Sequence, residues 1–525
     1  LNYYASFGYL GQDGLIKVAD EGSSRYTATA KISSQWTKWM KFNYSLRFVR
    51  KDYHRPQSLG SGIYEYLGGQ WPCVPLYDRN GYLYNEQVNT LTNGGTYRYQ
   101  NDEYNHQVGL DIEPIKNWVT HAIFNYRTSH NESHTDMQHT YLHDLNGNAY
   151  DQNNYTYVGE DYYKENYTNF QVYSEYSLSL QKKHNFHIMA GFQSEDERWK
   201  YKYADRAGII VGNKPQIDGT TGIDAYGTAV DPGVSGNMSR WTTCGFFGRL
   251  NYDYQGKYLL EVNGRYDGSS RFRAGNQWKF FPSVSAGWNI ASEKFMQPIN
   301  DWIGQLKLRV SYGNLGNQNV GTYQTYQTIG VYANNGTWLQ DGLKPMTAWA
   351  PGLVSQSLTW ETIENLNLGL DFAFFKDRLH GSFDWYVRKT KNMIGNAPEL
   401  PSILGTEVPV TNNTDLRTNG WELTIGWNDR LSNGLQYGIS FNLSDAYATI
   451  TKYPNNPSHS LSNYIEGQRI GDIYGFETIG IAQSDEEMKA HLAKVDQSTV
   501  GTNWGAGDIM YRDLNGDGKI SWGAC

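Results

Sequence analysis

The feature that most constrains this chain is an alternation of apolar and polar residues with a period of two, repeated along its length. In Lys41-Phe42-Asn43-Tyr44-Ser45-Leu46-Arg47-Phe48 the apolar side chains share one face and the polar ones the other. Tyr258, Leu260, Val262 and Tyr266 alternate in the same way with Leu259, Glu261, Asn263 and Arg265. So do Leu306, Leu308, Val310 and Tyr312 with Lys307, Arg309 and Ser311. Successive side chains leave a strand on opposite sides, so the period predicts β-strands with one apolar face. The joints are sorted by length. Those near 35–38, 116–117, 182–183, 255–256, 376–378 and 432–434 are very short. Those at roughly 55–100, 132–165, 201–236, 316–358, 393–414 and 453 onward are long and polar. This sorting fits an all-β chain folded as a transmembrane antiparallel β-barrel, with short periplasmic turns and long extracellular loops. A soluble sandwich has no reason to sort its loops.

Composition narrows the choice. Hydrophobic residues make up 39% and mean hydropathy is −0.65. No run approaches the roughly 18 apolar residues that a spanning helix needs, which excludes a helical membrane protein. A barrel strand meets lipid only at every second residue, so low hydropathy is compatible with a membrane. About fifteen strands are predicted, from 2–11, 24–34 and 39–54 through to 415–430 and 434–452. An odd count leaves unpaired edges, and there is neither a leader sequence nor an initiating Met. The chain is therefore expected to be an internal piece of a longer protein with strands beyond one or both ends. Aromatic residues reach 15%, with 42 Tyr and 17 Trp, which suits interfacial girdles and sugar-stacking loops. Trp199, Trp241, Trp278 and Trp360 are expected to form an outer belt, and Trp36, Trp39, Trp118, Trp288 and Trp427 an inner one. Only 292–303 and 484–495 read as helical, the second from the capping-box spacing of Ser484 and Glu487.

Catalytic signatures are absent: there is no phosphate-binding loop, nucleophile elbow or His-Glu-x-x-His motif. The net charge of −8, without a basic stripe, argues against nucleic acid as a partner. Cys73, Cys244 and Cys525 are too scattered for a disulfide framework or a zinc site. His130, His134, His139 and His143 fall together without ligand spacing. The sharpest motif is Asp513-Leu514-Asn515-Gly516-Asp517-Gly518-Lys519-Ile520-Ser521. Oxygens from Asp513, Asn515 and Asp517, Gly518 at the sharp turn and the Lys519 backbone carbonyl match a calcium loop. Ala524, where a bidentate acid belongs, does not. The alternative is a plain Asn-Gly/Asp-Gly turn. On the polar strand faces, Lys41, Arg47, Arg249, Glu261, Arg265, Lys307, Arg309, Asp384 and Arg388 are expected to pair with one another or with a plug, or to line a water path.

Several stretches resemble the SusC/RagA-type TonB-dependent transporters of bacterial outer membranes. They are FFGRLNYDYQGKYLLEVNGRYDGSSRF (246–272), WKFFPSVSAGWNIASEKFM (278–296), LKLRVSYGNLGNQ (306–318), LTWETIENLNLGLDFAFFKDRLHGSFDWYVRKTKNMI (358–394), LPSILGTEVPVTNNTDLRTNGWELTIGWND (400–429), EGQRIGDIYGF (466–476) and GDIMYRDLNGDGKI (507–520). Residues 1–236 fit more loosely, through YYASFGYLGQDGLI and PCVPLYDRNGYLY. The resemblance implies that residues 1–525 are a receptor barrel domain, part of a barrel of about 22 strands closed by an N-terminal plug. The plug, the closing strands and the TonB-contacting segment are expected outside these residues. It also implies an outer-membrane active importer of glycans, or alternatively of oligopeptides, that works with a SusD-like lipoprotein and TonB. The loops after 54, 131, 200 and 315 are long enough to contact such a lid or the solute. From other classes, a passive porin and a secreted carbohydrate-binding or adhesin β-protein remain as alternatives.

Overall fold

The computed structural model describes residues 1–521, save 61, 70, 72, 300, 334, 399, 402, 404 and 458–462. Fifteen strands hydrogen-bond in chain order in a 15-stranded antiparallel sheet. They are β1 Asn2–Asp13, β2 Gly22–Thr37, β3 Met40–Pro56, β4 Thr96–Ile115, β5 Trp118–Met137, β6 Tyr157–Leu180, β7 His184–Ala207, β8 Gly233–Tyr254, β9 Tyr258–Ser269, β10 Trp278–Asn289, β11 Ile303–Asn317, β12 Glu361–Phe374, β13 Leu379–Asn396, β14 Val410–Arg430 and β15 Gln436–Lys452. Every strand expected from the alternation is present. Several run further toward the long loops than expected: β5 continues to Met137 and β6 begins at Tyr157, so both ends of 132–165 belong to the sheet. Polar residues there continue the sheet because their ladder bonds, not their side chains, hold them in it. The chain divides into two compact units, Leu1–Ser177 with Met189–Phe246 and Leu178–Ile188 with Phe247–Cys525.

Register keeps the apolar faces together. In the second unit Val262 pairs with Val284 and Leu308 with Leu370, while Glu261 pairs with Ser285 and Arg309 with Gly369. Leu260, Val262, Leu308 and Val310 are 39–45% exposed on one face. Glu261, Arg265, Lys307 and Arg309 lie on the other. A one-residue slip would exchange the two faces in full, so the pattern fixes the register. The first unit obeys the same rule: Leu46 pairs with Ala30 and His106, and Ser45 with Lys31 and Gln107.

The short turns carry the backbone strain. Phe375, Lys376 and Asp377 have φ of 59°, 59° and 65°, a left-handed run that costs about 1–2 kcal/mol per non-glycine residue. Phe375 is anchored in this turn: its N–H donates to the Trp302 carbonyl at 2.7 Å, and its ring lies 5.5 Å from Trp302 and 6.3 Å from Trp427. The expected helix at 292–303 appears as two 3₁₀ turns, Ile290–Ser292 and Lys294–Ile299, the second containing Pro298.

The tryptophans divide. In the first unit, Trp36 stacks on Phe42 at 4.8 Å, and Trp118 meets Tyr176 at 6.4 Å and donates to Ser174 at 2.7 Å. In the second, Trp288 pairs with Leu308, and Trp427 with Leu379 and Ile439, on the apolar side near the short turns, so within each unit the inner-belt expectation stands for these four. The outer belt does not. Trp278 stacks on Tyr266 at 5.0 Å on the apolar face. Trp199 and Trp241, however, lie on the polar face, and Trp360 is only 4% exposed, packed with Phe272, Phe281, Val320 and Leu358 beneath the 318–360 loop. Burying Leu358 and Trp360 contributes roughly 1.5–3 kcal/mol each and pins that loop to the strand ends. Two further helices, α1 Gly62–Gly69 and α2 Glu86–Asn93, fold within the loop after β3, and the tail holds α3 Asp485–Leu492. The signal for α2 was the Asn85 cap, whose Oδ1 accepts from the amides of Gln87 and Val88, with Gly94 and Gly95 at its end.

On the short-turn rim of the second unit, Glu293 collects three donors: Lys257 Nζ at 2.9 Å, the Tyr258 hydroxyl at 2.7 Å and Trp288 Nε1 at 3.3 Å. Lys257 first, then Tyr258 and Trp288, hold its carboxyl down at about 2, against 4.5 for a free glutamate. A depressed carboxylate stabilises the fold fully above about 4.5 and loses that contribution as pH falls through about 2. The urea midpoint of the refolded protein should therefore drop across this window. Glu293→Gln should lower it at pH 7 and flatten the drop; an unchanged pH profile in the variant would remove Glu293 from the account.

Candidate functional site

The polar face of the first unit is an aromatic and acidic lattice built by β5 to β8. Tyr163 on β6 and Trp199 on β7 stack at 5.9 Å. Trp241 on β8 donates its indole N–H to Glu197 at 3.0 Å, and Thr243 donates to Glu195 at 3.0 Å. Asp161 accepts from Ser133 at 2.9 Å and from the Tyr201 hydroxyl. Glu165 accepts from Tyr163 at 3.0 Å and from Arg127, whose guanidinium also lies 5.2 Å from the Tyr167 ring centroid. Asn125 and Asn169 continue the lattice at 3.2 Å. Lower on the same face, Ser33, Asn43, Asp111, His121 and Glu175 form a chain of bonds across β2 to β6, with His121 between Asp111 at 2.7 Å and Glu175 at 3.4 Å. Each aromatic ring is held by a partner on its own or the next strand, which presents a rigid surface of π edges and hydrogen-bonding groups. Such a surface suits a hydroxyl-rich or amide-rich solute.

The charged residues predicted on the polar faces are there, and most pair locally. Arg309 forks onto Asp371 at 2.8 and 2.9 Å and onto Asp384 at 3.0 Å, joining β11, β12 and β13. Arg249 donates to Asn263 at 2.7 Å near Glu261 at 3.9 Å, and Arg265 to Asp267 at 2.8 Å. Arg388 lies 6.0 Å from the Tyr386 ring centroid. Lys41 and Arg47 stand on the same kind of face in the first unit, and Lys307 in the second.

The histidines that clustered in sequence separate in space. His130 bonds Thr128, His134 bonds Glu160 at 2.6 Å, His139 bonds Asp151 at 2.8 Å, and His143 stacks on Tyr82 at 3.7 Å. Among the described residues no group of three or more His, Cys, Asp or Glu converges as for a metal. The 484–495 helix packs: Met488 is buried, and buried Gln497 ties His491 at 3.1 Å to the Ile509 carbonyl at 3.1 Å.

Three loop tips share one turn. Asp78, Asp144 and Asp224 each accept, through Oδ1, the amides two and four residues on, with a positive-φ glycine third in line (Gly81, Gly147 and Gly227). The Asp513 loop is built differently. Its Oδ1 accepts from Gly516 at 2.8 Å and its Oδ2 from Gly518 at 2.7 Å, while Asp517 accepts from the Lys519 amide at 2.8 Å and from Asn515 at 3.2 Å. The Gly518 amide, with that of Gly516 behind it, holds the Asp513 carboxyl below the usual range. Residue 524 lies outside the described residues.

The family model described as TonB dependent receptor-like, beta-barrel, matches residues 33–520. The chain belongs to this family of outer-membrane β-barrels, and within it to the SusC/RagA type. It is 27% identical over 566 residues to TonB-dependent receptor P39 of Formosa agariphila, covering 99% of the chain and 51% of that relative. It is 25% identical over 555 residues to TonB-dependent receptor SusC of Bacteroides thetaiotaomicron, covering 100% of the chain and 52% of SusC. Among solved structures, the RagAB peptide importer in the closed-closed state has a similar fold, with a TM-score of 0.75 at 20% identity over 98% of the chain and 57% of that structure. The chain thus spans about half the length of the curated relatives it matches. In an outer-membrane barrel the apolar strand faces meet lipid and the polar faces the lumen.

Proposed function

We propose that these residues are the barrel portion of an active outer-membrane importer of glycans, and that they act as one receptor barrel domain. The importer works under a surface lipoprotein lid and draws on TonB through segments outside these residues. The observation that carries this reading is the lumenal lattice of Tyr163, Trp199, Trp241, Glu195 and Glu197. Rings and carboxylates set side by side are the chemistry that holds sugar rings and their hydroxyls. A second reading, import of oligopeptides, is favoured by the fold shared with RagAB, which is described as a peptide importer. Titrating the full-length protein with oligosaccharides and with oligopeptides, reading tryptophan fluorescence, separates the two. Oligosaccharides should bind, with a loss of about tenfold or more in Trp199→Ala and Trp241→Ala, equivalent to about 1.4 kcal/mol. Binding of peptides alone would overturn the glycan reading.

The lid reading rests on the loop between β11 and β12. Trp338, Leu339, Leu343, Met346 and Trp349 are each 64–73% exposed there. An apolar group of this kind, rimmed by polar residues, marks an interaction surface. Extraction in mild detergent should bring down a lipoprotein with the wild type and several-fold less with Trp338→Ser/Trp349→Ser. An isolated barrel from the native membrane would count against the lid.

For the Asp513 loop the proposed occupant is a calcium-class ion, held by Asp513, Asn515, Asp517 and the Lys519 carbonyl, with water or another residue completing the shell. Its support is that the loop departs from the turn shared by Asp78, Asp144 and Asp224 and carries a second acid. Terbium bound to the full-length protein should be displaced by calcium, and Asp513→Asn/Asp517→Asn should abolish binding. A wild type that never sensitises terbium would leave only the turn.

A further inference from the structure

The outward face of the first unit carries a cationic patch that neither transport nor strand pairing uses. Along β7 the exposed positions alternate as Arg198, Lys200 and Lys202, while Trp199 and Tyr201 between them turn to the lumen. Arg240 of β8 joins them, exposed on the same face. Asp196 accepts from Arg198 Nε at 2.8 Å and from Arg240 Nε at 2.8 Å and Nη2 at 2.5 Å. One carboxylate thus clamps two guanidiniums whose side chains remain 59% and 51% exposed. Lys164 of β6 faces the same way. It pairs across the ladder with His130, and Glu160, four residues back along β6, is occupied by His134. Asp196, bonded to Arg198 and Arg240, is therefore the one acid seen bonded to any of these five cations among the described residues, on a chain whose net charge is −8. Like charges so placed repel unless an anion lies among them.

Their height says which anion. Trp118 and Tyr176 mark the inner interface of this unit. At a rise of about 3.3 Å per residue and a strand tilt of roughly 40°, the run of β6 from Tyr176 to Lys164 climbs roughly 30 Å along the membrane normal. The apolar band of such a barrel is about 25 Å tall, so Lys164 stands just beyond it, at the outer headgroups. Trp199 stacks on Tyr163, which sets Arg198 and Lys200 at the same level. Below them the face is apolar, with Phe170 and Phe246 exposed at 43% and 55%. Guanidiniums held as a pair match phosphate in a bidentate fork, and flanking lysines add point charges.

We propose that Arg198 and Arg240, with Lys164, Lys200 and Lys202, bind the phosphorylated sugar headgroup of an outer-leaflet glycolipid whose acyl chains lie against Phe170 and Phe246. This holds whichever solute the lumen carries. The test uses the full-length protein in mild detergent, with its fold checked by heat-modifiable migration. Wild type and Arg198→Gln/Arg240→Gln/Lys200→Gln are each given rough lipopolysaccharide, the same lipid after phosphatase treatment, or inorganic phosphate, and bound lipid is counted by native mass spectrometry. The wild type should retain the phosphorylated lipid at least fivefold better than the variant and at least fivefold better than the dephosphorylated lipid. Inorganic phosphate should leave its thermal midpoint unmoved. Lys200→Gln/Lys202→Gln, which breaks no ion pair, should still lose at least half of the lipid, so the test survives a misfolded triple variant. Equal retention by a folded variant, or equal binding of the dephosphorylated lipid, overturns the proposal. A midpoint raised by inorganic phosphate alone would make this a free-anion site and overturn the lipid assignment.

Discussion

The constraint on which the rest depends is that a peptide group in hydrocarbon has no water to bond. Each N–H and C=O of a membrane-crossing strand must find its partner on a neighbouring strand, and a missed bond costs several kcal/mol. The ladders from Asn2↔Ser33 to Arg430↔Gln436 satisfy that requirement, with register shifts confined to a few places near strand ends, such as Gln35/Thr37 and Thr390/Met393. Once the backbone is paired sideways, side chains have only two directions. One meets lipid and must be apolar or aromatic; the other can hold charge if the charges answer one another. The Arg309 fork onto Asp371 and Asp384 is such an answer, and it laces three strands on the face where a lone arginine would be left half-desolvated.

Much of this was legible in the residues. The alternation of Lys41 to Phe48 and of Leu306 to Tyr312 reports a physical choice made at every position, so strand existence and facing could be read directly. Turn positions were legible for the same reason: Asn117, Lys182 and Gly256 sit where the chain must reverse with positive φ. Strand ends on the loop side were not. Above the lipid the alternation loses its apolar partner, and residues such as Glu132 and Glu160 look like loop while the ladder continues. The tryptophans failed for a related reason. Trp199 falls at the parity of Glu195 and Glu197, and Trp241 at that of Thr243, so the alternation puts both on the polar face, and a tryptophan counted by its height alone does not show this.

The site was harder to see than the fold. No motif announces the lumenal lattice, because its members come from four strands and meet only through register. Their one trace in sequence is the run from Glu195 to Tyr203, where acids and aromatics fall on alternate positions in place of apolar residues. The Asp513 motif was plain in the sequence, yet its distinction from the other aspartate turns lies in which amides the carboxylate takes.

The three tips at Asp78, Asp144 and Asp224 carry a different lesson. Each closes on itself through its own aspartate and glycine, and what ties one tip to another is side-chain contact, such as Arg79 donating to the Leu145 carbonyl at 2.5 Å. A hairpin that settles its own ends places little demand on the strands that carry it. The residues around such tips can drift, lengthen or be exchanged while the ladder beneath keeps its register. A lineage facing a changing supply of solutes, or phages that learn its surface, could then re-dress the exterior piecewise and leave the membrane-bound machinery untouched.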